Sequence, residues 1–94
     1  MSVGLLVVDC LFENGQSLKD KRRVLLSITQ RLRDNFNLAV AETNHHDLWQ
    51  RSELSIVLVN TDWKMIERNF NRIIEFIEKD RRITVLNYEA KSIY

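Results

Sequence analysis

The chain has 94 residues, 45% hydrophobic and 29% charged, with a formal net charge of +1. That balance fits one globular domain over residues 1–94 with a modest core. It excludes a disordered chain, a deep enclosed active site and a strong global attraction to nucleic acid.

Residues 2–12, SVGLLVVDCLF, are rich in Val and Leu and read as a strand. The apolar run is far too short to span a membrane, and no basic start precedes it, so no signal peptide is expected. The single cysteine, Cys10, has no partner for an internal disulfide and suits a reducing, cytoplasmic setting. Glu13, Asn14, Gly15 and Gln16 read as a turn.

Ser17 is a good N-cap for a helix over residues 18–35, with Asp20 three residues on. Leu18, Leu25, Ile28 and Leu32 form an apolar stripe with Val24 beside it; Arg23, Ser27, Gln30 and Asp34 form the wet face. Lys21 and Arg22 fall near the stripe, where their stems would lie on apolar surface while their heads reach water. Residues 37–43 read as a second strand, NHHDLWQR as a polar loop and residues 53–60 as a third strand. Asp62 caps a second helix carrying Trp63, Ile66, Phe70, Ile73 and Ile77 on one stripe, and residues 82–89 read as a last strand. Two strand–helix–strand units in this order predict an α+β, ferredoxin-like βαββαβ sandwich: a four-stranded antiparallel sheet with both helices on one face.

The uncovered face of such a sheet is usually polar. Here Val3, Leu5, Val7 and Leu11 share one parity, while Leu6, Val8, Cys10 and Phe12 share the other. Leu86 and Tyr88 stand opposite Ile83 and Val85 in the last strand. Both faces therefore read as apolar near the sheet centre, and a homo-oligomer through the open face is expected.

Charge is uneven along the chain. Residues 17–36 hold six bases against two acids, while residues 37–62 hold Arg51 against four acids. Lys19, Lys21, Arg22 and Arg23 crowd a helix start that is already partly positive. One reading is a phosphate-binding corner, extended by Arg51; the other is a solvated surface paired with Glu42, Asp47 or Glu53. In the loop, Trp49 reads as a packing anchor, a partner contact or a stacking platform. Gln50 has hydrogen-bonding reach toward a partner, and Arg51 has the alternative of pairing with Glu42 across the hairpin. His45, His46 and Asp47 lack further ligands at useful spacing, so no metal is expected.

Catalysis and cofactors have little support. Cys10 has no histidine beside it, Gly4 and Gly15 stand alone, and Asp9 and Glu13 are an ordinary pair at a strand end. RNA-recognition motifs share this topology but stack bases on aromatics of their central strands, which VGLLVVDCL and ELSIVLVN lack.

SLKDKRRVLLSITQRLRDNFNLAVAE, followed by DLWQR and an apolar strand, resembles the YlxP-like family of small bacterial proteins, a domain family of unknown function. The matching positions are Ser17, Lys19, Lys21, Arg22, Glu42, Asp47, Gln50 and Arg51; His45 and His46 depart from the pattern. The resemblance implies a ferredoxin-like fold. Because members are often encoded beside a ribosome-binding factor and a translation initiation factor, it also implies a role near ribosome assembly or translation. The expectation is a non-enzymatic protein that contacts RNA or a ribosomal particle through Lys19, Lys21, Arg22 and Arg23, with a structural or regulatory homodimer, or a small-ligand-binding dimer, without a nucleic-acid partner as the alternative.

Overall fold

The computed structural model describes residues 1–13 and 15–94; the expected turn at residues 13–16 includes Asn14, which lies outside them. The elements run β1 (Ser2–Phe12), α1 (Leu18–Asn35), β2 (Ala39–Asn44), β3 (Arg51–Asn60), α2 (Trp63–Glu78) and β4 (Ile83–Ser92). The strands form one antiparallel sheet in the order β2-β3-β1-β4, the ferredoxin-like arrangement that the periodicities predict. β3 begins two residues earlier than the sequence reading because Arg51 pairs with Leu11, and β4 runs three residues further because Ser92 pairs with Gly4.

The hydrophobic core lies between the sheet and the helices. Leu6, Val8, Cys10 and Phe12 from β1 and Leu54, Ile56 and Leu58 from β3 meet Leu25, Ile28 and Leu32 of α1 and Ile66, Phe70, Ile73, Ile74 and Ile77 of α2. The alternation along β1 and β3 is the period of a half-buried strand. Gly4 sits on the helix side, where α2 crosses closest: a Cβ there would stand 2.6 Å from Ile66 Cγ2 and 3.0 Å from the Phe70 ring.

β4 contains a bulge. Asp9 pairs with Asn87 but Cys10 pairs with Val85, so Leu86 is an extra residue. Parity flips across it, and Tyr88 pairs with Val8 on the helix side rather than lying on the open face with Leu86. The open face is thus apolar over only part of its area. Val3, Leu5, Val7 and Val57 are half-buried and Val59 is exposed. Further along the same face, Arg51 Nη2 donates to both oxygens of Asp9 at 2.8 and 2.7 Å, and the Thr43 hydroxyl bonds Glu53 at 2.6 Å and Ser55 at 2.7 Å.

Gly4→Ala has no room, because both neighbours are themselves buried. It should lower stability by about 1–3 kcal/mol. A urea titration is expected to show a lower midpoint with an unchanged slope.

Candidate functional site

The start of α1 is built as the sequence asks. Ser17 Oγ accepts the Asp20 backbone N–H at 3.1 Å, and the Asp20 carboxylate accepts the Gln16 N–H at 3.2 Å. A carboxylate inside the first turn is the favourable charge for a helix N-terminus. The four cations then divide sharply.

Lys21 departs from the expectation that its head reaches water and phosphate. It occupies the stripe position one turn before Leu25 and is 1% exposed. Its Nζ lies 3.0 Å from Glu42 Oε2, 2.8 Å from the His45 carbonyl, 3.3 Å from the His46 carbonyl and 3.1 Å from the Arg51 carbonyl. An ammonium has three protons, so four acceptors saturate it and one bond is shared. Lys21 is therefore a structural pin and has no donor left for a ligand.

Glu42 is the other half of the pin, not an exposed partner contact. It faces the helices because it pairs with Leu54, and its Oε2 also accepts the buried Ser52 hydroxyl at 2.6 Å. Burial opposes its ionisation, but the hydrogen bonds from Ser52 and Lys21 and the charge of Lys21 outweigh that and hold its pKa below the ordinary value. His45 takes a left-handed backbone, φ 65°, which aims its carbonyl at the pin. A non-glycine residue there costs on the order of 1–3 kcal/mol and persists because its surroundings fix it.

Arg51 lies on the opposite side of the sheet from α1, so it joins neither Glu42 nor the α1 cations. It pairs with Asp9, and its buried Nε has no partner among the described residues. Asp47 and Gln50 are exposed and make no side-chain hydrogen bond among the described residues. Trp49 is 39% exposed, in a loop tied to β1 by the Phe12 N–H donating to the Gln50 carbonyl at 2.8 Å.

Lys19, Arg22 and Arg23 remain exposed and form no ion pair among the described residues. Beside them a cleft of about 250 Å³ is lined by Phe12, Gly15, Asp20, Arg23, Val24, Arg82 and the stem of Lys21. Arg82 is committed to Asp80, which also accepts Arg31 at 2.7 Å. The Asp80 carboxyl is held well below the usual range, chiefly by hydrogen bonding from Arg82 against the opposing cost of burial.

Burial, with the Asp9 charge beside it, pushes the Cys10 thiol up to about 12, which leaves it protonated and inert. No group of three or more His, Cys, Asp or Glu residues is placed to hold a metal among the described residues. No helix of the described residues is long and apolar enough to cross a membrane.

One outcome tests the pin and a second tests the two carboxylates that are held ionised, Glu42 and Asp80. Lys21→Met leaves the Glu42 carboxylate and three inward carbonyls without their donor. Stability should fall near the lower end of the roughly 3–5 kcal/mol typical of a broken buried pair, since Glu42 keeps some solvent contact. Chemical denaturation measures the loss. Asp80 and Glu42 have depressed folded pKa values, so their contribution is present above the ordinary carboxylate pKa and is lost as pH falls through the folded value. The urea midpoint should drop progressively as pH falls below about 5, and drop less in Asp80→Asn.

Residues 3–90 match the family described as "Protein of unknown function (DUF503)". The chain is 32% identical over 76 residues to "Uncharacterized protein YlxP" of Bacillus subtilis (strain 168), covering 81% of this chain and 83% of that protein. The chain belongs to this YlxP-like DUF503 family.

Proposed function

We propose that this chain is a non-enzymatic cytoplasmic protein that docks on a structured RNA, such as that of a ribosomal particle, through Lys19, Arg22 and Arg23. The observation that carries the reading is the division of the four cations at the start of α1. One is withdrawn into the fold, while the three others stand exposed with no carboxylate partner among the described residues. Unpaired cations around a helix start are the chemistry that meets phosphate oxygens. Exposed Trp49, in a loop held by the same pin, adds an aromatic surface suited to stacking on an unpaired base.

The second reading, a homodimer with no nucleic-acid partner closed across the open sheet face, draws on the apolar patch of Val3, Leu5, Val7, Val57 and Val59.

Co-sedimentation with small ribosomal subunits across a salt series separates the two. Binding should weaken with salt. Lys19→Gln/Arg22→Gln/Arg23→Gln should reduce the slope of log affinity against log salt by up to about 0.9 for each phosphate that the variant leaves unneutralised. The triple variant is expected to melt like the parent, since all three side chains are exposed. Salt-independent affinity, or no binding by the parent chain, overturns the RNA reading.

A further inference from the structure

We infer that a second copy of this chain docks edge to edge on β4, continuing the sheet antiparallel across a two-fold axis. The sheet has two edges, β2 and β4, and they are treated differently. β2 is six residues long, is interrupted by a bulge after Glu42, and has its Val40 carbonyl bonded by Arg33 Nη2 at 3.3 Å. Short length, a bulge and a long cationic side chain are the usual defences of a sheet edge.

β4 is ten residues long, and Ile93 and Tyr94 extend its line by exchanging backbone hydrogen bonds with Val3. Among the described residues no side chain from another element bonds its backbone. Leu86, Tyr88, Ile93 and Tyr94 are 46%, 50%, 50% and 74% exposed, a concentration of large apolar side chains along one open edge. Beyond the bulge at Leu86 the strand is regular, and the guards on that stretch are the exposed charges of Glu89 and Lys91.

The sequence selects the register. An antiparallel two-fold sets one residue opposite its own copy. Centring on Glu89 or Lys91 would oppose like charges. Centring on Ala90 sets Glu89 opposite Lys91 twice and Tyr88 opposite Ser92. Glu89 and Lys91 share the open face, because they pair with Val7 and Leu5, so each cross-strand pair meets on the same side of the joined sheet. The two charges that would guard this edge against an unrelated strand thereby become complementary for a copy of itself.

Face-to-face stacking is the poorer solution for a second copy. It would cover the Arg51–Asp9 pair and the Thr43, Glu53 and Ser55 cluster together with the apolar patch, and removing those groups from water is costly. Edge pairing leaves the whole open face in water. It also leaves the α1 start free, since Phe12 pairs with Ile83 at one end of the β1–β4 ribbon and Gly4 with Ser92 at the other. The inference therefore stands apart from the RNA reading.

Light scattering at tens of micromolar protein should give a dimer. Glu89→Lys and Lys91→Glu each set like charges opposite and should weaken it by about tenfold or more, whereas the double swap should restore it. Directly opposed antiparallel residues have Cα atoms about 4.5–5.5 Å apart, within disulfide reach, so Ala90→Cys should form a linked dimer on oxidation while Cys10 stays buried. A monomer throughout, a dimer indifferent to the single reversals, or a dimer broken by Val57→Asp but not by Glu89→Lys would overturn the edge-to-edge assignment.

Discussion

One ammonium group holds together the end of the molecule where α1 begins. Lys21 brings helix, strand and loop to a single point: Glu42 from β2, the His45 and His46 carbonyls from the loop, and the Arg51 carbonyl where β3 begins. Replacing a buried ion pair by apolar residues is often neutral or stabilising, because the desolvation cost of two charges disappears with them. That substitution is poorly available here. Three of the four acceptors are backbone carbonyls, which no mutation removes, and an apolar residue at position 21 would leave them facing inward unbonded. The lysine is fixed by the shape of the loop as much as by the glutamate.

The same pin explains how a helix start tolerates the sequence SLKDKRR. With Lys21 neutralised by Glu42, the first turn keeps Ser17 on the Asp20 N–H and the negative charge of Asp20, whose carboxylate accepts the Gln16 N–H just ahead of the helix. Lys19, Arg22 and Arg23 stand in water, where repulsion between them is heavily screened. The compensation is internal, so the cluster does not need an anion to be stable. What the three exposed cations retain is capacity, since none spends its charge on a neighbouring carboxylate among the described residues.

Much of this was legible in the sequence. Element order followed from two helical stripes and from alternation along β1 and β3, signals that burial itself imposes. Other features have no local signature. The bulge at Leu86 leaves the residue pattern of β4 looking regular, and only its pairing with β1 shows that Tyr88 changes face. Arg51 and Glu42 look like hairpin partners, yet register sends one to the open face and the other to the helix side. Lys21 gave half a signal: its stripe position predicted a buried stem, but a cage made mostly of carbonyls cannot be read from side chains.

Tyr88, Arg51, Glu42 and Lys21 share a property that bears on function: the role of each depends on which side of the sheet its polar group reaches. The helix side at the α1 start consumes its charges: Lys21, Glu42 and Ser52 satisfy one another, as Arg31, Asp80 and Arg82 do where α2 hands over to β4. Charges left uncommitted are pushed outward, along α2 as well as to the α1 start and the far half of β4. A chain this short can place only a few side chains inside, and it has used its buried polar ones to close turns. Recognition is then left to the rim of the sandwich, where a helix end and a strand edge present their groups to whatever meets them.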